Sequence, residues 1–428
     1  MSKKQNLVGR DASSRFSLRG WLIILLGMAM WFFSAAMTVE GANVIIPAFS
    51  SAYSVNAAAL YGAATAASLI SIPGVALCGA LQTRIGPRKI VLLCWVVAAA
   101  GMGVLGMAEG LVSYCAGRVL IGVGNSCATY IGLNGIITNR FPHKKDLVQG
   151  YVTMGSNLST AVSLYLLNFL MAQVDLRGTF LVWGAIYLAL GILSYICFRD
   201  NPEEVGEYPD NDRSMTQEQV QAAFQQGEEY RKKSALTTRE ILKKRQTWQI
   251  SFGYGIILMI TVGILSTLVR TLIIKGLNEN IAVSMMTVAA VLGIPFSYLW
   301  GWLGVKFSTK RATILLYIVI FAMILCMLLP GAWTAYVTAV LLGCFIGAGN
   351  NLTPAIIATV FGRYDFSKAL SVIMPIWNIV VAFATTVVGV PQSLTNSYVA
   401  AYLVLGVFAV IGFILVLTLD DRCIGKSE

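Results

Sequence analysis

Charge is what this chain has least of. Asp, Glu, Lys and Arg together make up 12% of its 428 residues against 57% hydrophobic, and the mean hydropathy is +0.73. That balance excludes a water-soluble fold with a charged exterior. Histidine is limited to His143, between Pro142 and Lys144 in a polar loop, so a histidine-built catalytic or metal centre has no second member; we read it as solvated. No pair of the eight cysteines has metal-ligand spacing, and all but Cys423 fall in or beside apolar runs, so free thiols and no metal site are expected. Nucleophile–base pairs, ligand clusters and phosphate-cradling glycine loops are also lacking, which argues against an enzyme and against a cofactor. A cleavable leader is not expected. The first residues are polar and basic, and the apolar run after them is too long for a signal sequence and lacks a small-residue cleavage site.

What the chain has is long apolar runs. About 20 mostly apolar residues cross about 30 Å of hydrocarbon, and twelve such runs are read at 20–47, 57–81, 90–108, 111–137, 147–171, 178–198, 248–272, 280–304, 311–330, 333–361, 367–390 and 397–419. Runs of that length fit helices, whereas a lipid-facing barrel needs short alternating strands. The expected fold is an all-α membrane protein of twelve transmembrane helices.

The net charge of +11 invites a nucleic-acid partner, but its distribution removes the need for one. With a cytoplasmic N-terminus, every Lys and Arg falls on the cytoplasmic side except Arg118, Arg177, Arg270 and Lys275. This is the positive-inside pattern over an even number of spans. It predicts an inner, cytoplasmic membrane protein with both termini in the cytoplasm and membrane lipid as its surroundings.

The chain also repeats itself. Ile72 to Lys89, IPGVALCGALQTRIGPRK, returns at Ile294 to Arg311 as IPFSYLWGWLGVKFSTKR, with Pro73 and Pro295, Gly79 and Gly301, and Leu81 and Leu303 each 222 residues apart. A duplicated unit in apolar runs points to a membrane transporter built as two six-helix bundles related by pseudo-two-fold symmetry. The expected layout is an N-terminal tail at 1–19, one bundle at 20–198, a cytoplasmic linker at 199–247, the second bundle at 248–419 and a tail at 420–428. In the linker, Thr216 with Gln219 and Thr237 with Glu240 have the capping-box spacing that opens short helices.

Ionisable and amide side chains inside apolar runs mark the candidate site, because an unpaired ion there is costly. Glu40 lies in span 1, with Asn43 a turn later. Arg118 lies at a similar depth in span 4, and Asn125 is two turns deeper on the same face. Gly347, Gly349 and Asn350 repeat Gly122, Gly124 and Asn125 at an offset of 225, while Gly343 stands where Arg118 would recur. Asn157 and Asn378 form another matched pair, 221 residues apart, with Trp377 beside the second. Tyr61, Thr65 and Ser68 share a helix face in span 2; hydroxyls in such helices either face a solute or bond their own backbone. Arg270 ends span 7 and either meets cargo or snorkels to the headgroups, and Lys275 is read as snorkelling.

The turn GALQTRIGPRK resembles the signature turn of the major facilitator superfamily, and RVLIGVGN resembles its fourth-helix motif. Within it, RGW at the start of span 1 and NPEEVGEYPD after span 6 are similar to the monocarboxylate and oxalate/formate type of organic-anion porter. Thr83 and Val305 stand where the superfamily turn usually has Asp, and span 8 and mid-span 11 lack the cation common in the organic-anion group. The resemblance implies secondary active transport of a small organic anion by alternating access, proton-coupled or by exchange for a counter-anion, in a monomer. Arg118 and Arg270 would then contact the carboxylate, Asn43, Asn125, Asn157, Asn350 and Asn378 orient polar atoms, Tyr61 and Trp377 shape the wall, and Glu40 carry the proton. The alternatives are multidrug efflux, or a cationic or zwitterionic solute anchored on Glu40 in a cage of Trp31, Phe33 and Trp377.

Overall fold

The computed structural model describes residues 16–424 apart from 215, 234 and 235, and leaves undescribed the side chains of 39, 40, 42, 43 and 231–233. Among the described residues the chain is helical, with no strand. That is the form apolar runs take where lipid offers backbone groups no partner.

Ten helices are long and apolar enough to cross a membrane, and two of these, of 53 and 64 residues, are far longer than a bilayer is thick. At 1.5 Å per residue each extends about 80 Å or more. Each is two spans joined through a break. Lys145–Cys197 bends where Val174 and Asp175 leave helical geometry, and Asp175 re-caps the chain by accepting from the Gly178 N–H at 2.7 Å. Ala332–Ala382 bends at Gly362, whose φ of +74° suits glycine. Counted this way there are twelve spans. Span 1 is Leu18–Ala35, a π-helical turn Ala36–Glu40 and Ala42–Tyr53; span 2 is Ala57–Ile85; span 3 is Pro87–Gly106. Span 4 is Leu111–Ser126, a π-helical stretch Cys127–Leu133 and Asn134–Arg140. Spans 5 and 6 share Lys145–Cys197; span 7 is Arg245–Ile274, span 8 Glu279–Phe307 and span 9 Thr309–Leu328. Spans 10 and 11 share Ala332–Ala382, with Ala384–Thr395 completing span 11, and span 12 is Tyr398–Leu417.

Spans 1–6 pack on one another, as do spans 7–12, and the two halves meet where span 8 lies on span 5 and span 11 on span 2. The repeated glycines sit at these two junctions. A Cβ on Gly79 would fall 2.2 Å from Ser371 Cβ, and one on Gly301 would fall 2.5 Å from the Asp146 carbonyl oxygen. Glycine is therefore what lets each half approach the other.

The basic turns and the linker lie at one end of the bundle, here termed the basic end. Both linker helices start at their capping boxes: Thr216 and Gln219 exchange bonds of 3.1 and 3.4 Å ahead of Gln217–Lys233, and Thr237 and Glu240 do the same ahead of Thr238–Lys243. The Thr237 N–H and hydroxyl hold the Glu240 carboxyl below its ordinary range. The linker is bound to both halves. Glu203 takes a bidentate ion pair from Arg363 at 2.7 and 2.8 Å, Glu207 pairs with Arg140 and Arg19, and Asp365 accepts from Tyr230 and from the Leu236 N–H. His143 is exposed, and its backbone N–H donates to Asp210. Lys275 does more than snorkel: its ammonium donates to the carbonyls of Cys326 and Leu329, closing the end of span 9.

Candidate functional site

Two joined chambers lie between the halves. The central one, of about 310 Å³, is walled by spans 1, 4 and 5 of the first half and 7, 10 and 11 of the second. Its apolar surface comes from Trp31, Leu258, Val262, Leu265, Ile346, Met374 and Trp377, and its polar surface from Ser34, Asn125, Thr129, Tyr130, Asn157, Thr261, Asn350 and others. A side chamber of about 240 Å³ lies between spans 1, 2, 4 and 11 and contains Arg118. Thr38, Ser126, Asn378 and Val381 border both. Among the described lining residues, Arg118 is the one that carries charge.

Arg118 is seven residues into Leu111–Ser126, about 10 Å from the helix start. Its Nη1 donates to the Met37 carbonyl at 2.7 Å and its Nη2 to the Thr38 carbonyl at 3.3 Å. Both acceptors lie in the π-helical turn of span 1, a break in the regular helical pattern often found at functional sites. Glu40 ends that turn; its side chain, like that of Asn43, lies outside the described residues.

The amides divide by what they bond. Asn125 Nδ2 donates to Tyr187 at 2.9 Å and to the Ser34 carbonyl, while its Oδ1 has no partner among the described atoms. Trp31 Nε1 is likewise a buried donor without a described partner. Asn157 Nδ2 reaches across to Gly293 O at 3.0 Å and Ser297 Oγ at 2.8 Å on span 8. Asn350 Oδ1 accepts from Tyr130 of the other half at 2.9 Å, and Asn378 Oδ1 accepts from Trp377 at 2.8 Å. Trp31, Tyr130 and Trp377 form an aromatic row across the halves, with ring centroids 4.7 and 6.0 Å apart.

The structure brings Arg118, Asn125, Asn157, Asn350, Trp377 and Asn378 to the chambers and leaves two expected residues away from them. Tyr61 is 47% exposed, and Arg270 is exposed near the end of span 7; neither lines a chamber. In span 2, Thr65 and Ser68 bond the carbonyls of Tyr61 and Ala64, their own backbone, although Ser68 also borders the side chamber. Phe33 packs on Phe32 and Trp183 away from the row, so the aromatic wall is Trp31, Tyr130 and Trp377 instead. Sequence reasoning missed Thr38, Ser126 and Tyr130. Tyr130 lies in a π-helical stretch, where a period of 3.6 residues no longer assigns faces.

Among the described residues, the hydrogen bonds joining the halves run from Gln82 to Ser367, Thr309 to Asp146, Asn157 to span 8 and Tyr130 to Asn350, all on the basic-end side of Arg118. These bonds hold the halves together at the basic end, and a site between two halves shut at one end is the arrangement of an alternating-access carrier.

The sequence profile of the Major Facilitator Superfamily matches residues 22–296 and 275–425, nearly the whole chain. The chain belongs to the major facilitator superfamily. Rat monocarboxylate transporter 12 is 24% identical over 317 residues, which is 68% of this chain and 63% of that relative's length. Rat monocarboxylate transporter 13 is 22% identical over 420 residues, 95% of this chain and 91% of the relative. A solved structure of the proton:xylose symporter XylE aligns with a TM-score of 0.72 at 15% identity, covering 95% of this chain and 96% of the other, and so shares its two-bundle, twelve-helix fold. As a superfamily member this chain is a multi-pass integral membrane protein of a transporter family.

Proposed function

We propose that the cargo is a small organic anion with one carboxylate, carried across the cytoplasmic membrane by alternating access, with the basic end and both termini in the cytoplasm. The observation that carries this reading is the placement of Arg118 as the single charged group among the described chamber-lining residues. A planar guanidinium offers a carboxylate two parallel hydrogen bonds, and one cation balances one negative charge, which favours a monocarboxylate over a dicarboxylate. The apolar and hydroxyl-bearing walls suit a short carbon skeleton. The relatives named monocarboxylate transporters 12 and 13 support the same class. Glu40, two residues beyond the Thr38 carbonyl that holds Arg118, takes the proton when the anion arrives, so anion and proton travel together. The concentration of Lys and Arg at the basic end supports its cytoplasmic assignment.

The test is uptake of radiolabelled short monocarboxylates by proteoliposomes. Arg118→Gln removes a charge-assisted contact worth about 1.5–3 kcal/mol, so uptake falls about 10- to 100-fold. Undiminished uptake refutes the assignment. A second reading, a cationic cargo held on the Trp31, Tyr130 and Trp377 row, predicts that quaternary amines compete and carboxylates do not.

A further inference from the structure

We propose that Cys78, Cys94 and Cys127 form a three-sulfur site for a soft trivalent ion of the arsenite type. They come from spans 2, 3 and 4, and their spacing in the chain gives no hint of a site. Folding nevertheless places their three Sγ atoms within 4.8 Å of one another, and all three thiols are free. Cys94 and Cys127 are 1% and 0% exposed, while Cys78 is half-buried. With bonds of about 2.3 Å, as in zinc thiolates, a pyramidal trivalent ion holds three sulfurs about 3.5 Å apart. Small side-chain rotations bring the trio to that spacing.

Sulfur-only ligation selects soft ions, and the surroundings select among them. Val75, Val91 and Ile131 belong to the same buried apolar core as Cys94 and Cys127, and uncompensated charge in such a place costs several kcal/mol. Arg84, Arg88 and Lys89, the nearest basic residues along these helices, are about a turn and a half away in sequence. Three thiolates leave two negative charges around a monovalent ion, one around a divalent ion and none around a trivalent ion. The reaction with arsenous acid balances without any redox partner: As(OH)3 + 3 RSH gives As(SR)3 + 3 H2O. Three As–O bonds break, three As–S bonds form, and each thiol proton leaves with a hydroxide as water. Reactant and product are both neutral, so no ion has to enter the apolar interior bare.

The backbone adds an independent observation. Cys127 opens the π-helical stretch of span 4, a feature often found at functional sites. Thr129 and Tyr130 of the same segment line the central chamber. A ligand bonded to Cys127 therefore ties spans 2, 3 and 4 together behind the chamber wall, away from Arg118.

The experiment uses the full-length protein in detergent, with sodium arsenite as ligand and bound arsenic counted after desalting. We expect a single arsenic per chain, with X-ray absorption showing three sulfur neighbours, and release by a competing small dithiol. Cys78→Ser, Cys94→Ser and Cys127→Ser each weaken retention about tenfold or more, while Cys115→Ser and Cys344→Ser do not. Because a buried Cys→Ser change can disturb folding, the sulfur count on the unaltered protein stands as the second measurement. Full retention in Cys127→Ser, fewer than three sulfur neighbours, or no arsenic on the unaltered protein overturns the proposal.

Discussion

Gly79 of span 2 lies so near Ser371 of span 11 that a single added carbon would come within 2.2 Å of the serine Cβ. Gly301, its repeat partner, stands in the same relation to the Asp146 backbone on span 5. The duplicated motif thus marks the two seams along which the halves close at the basic end. Gln82 and Ser367 at 2.7 Å and Asp146 and Thr309 at 2.8 Å add polar contacts beside them.

Gly79→Leu should therefore hold this end apart. In a background stripped of its native cysteines, Gln82→Cys with Ser367→Cys cross-links readily under oxidation, and adding Gly79→Leu lowers the yield several-fold. An unchanged yield shows that the seam tolerates the bulk.

Glu203 and Arg363 form a bidentate pair whose side chains are only 2% and 8% exposed. Glu203→Ala strands a buried cation, a loss of about 3–5 kcal/mol, whereas replacing both partners by apolar residues is close to neutral. Glu203→Ala is expected to lower the apparent melting point in detergent and Glu203→Leu with Arg363→Met to recover most of it. Equal losses in both variants contradict this account of the pair.

Asn157 lines the central chamber, yet its amide is committed to Gly293 and Ser297 across the seam. We expect Asn157→Ala to leave carboxylate affinity within about threefold, since it breaks bonds between helices and not to cargo, while changing the exchange rate. Equilibrium binding and counterflow measured together separate the two; a large affinity loss at unchanged rate assigns Asn157 to cargo.

For proton coupling, Glu40→Gln should abolish accumulation driven by a pH gradient and spare counterflow, which needs no net proton movement. Accumulation that survives the substitution removes Glu40 from the coupling step.

The scaffold was readable from the chain because lipid leaves a long apolar run few options, and because one unit is written twice: Pro73 with Pro295, Gly79 with Gly301, Asn125 with Asn350. The site was readable only where ordinary helical periodicity holds. Arg118 and Asn125 obey it and line the chambers, but Tyr130 lies within a π-helical stretch, where that periodicity does not hold. Tyr61 and Arg270 show a different limit: a polar residue in an apolar run gives depth but not contact, and neither lines a chamber. The thiol trio was hidden for a third reason, since spacing within one helix says nothing of neighbours on two others.

The solitary charge among the described chamber-lining residues has a consequence for how the cell's voltage acts on this carrier. With Glu40 ionised the empty form balances Arg118, and on the proposed cycle the loaded form adds one anion and one proton, so the moving halves bear no net charge in either direction. A membrane potential, worth about 2.3 kcal/mol per charge per 100 mV, then finds nothing to pull on, and the pH difference alone sets how far the solute can be concentrated.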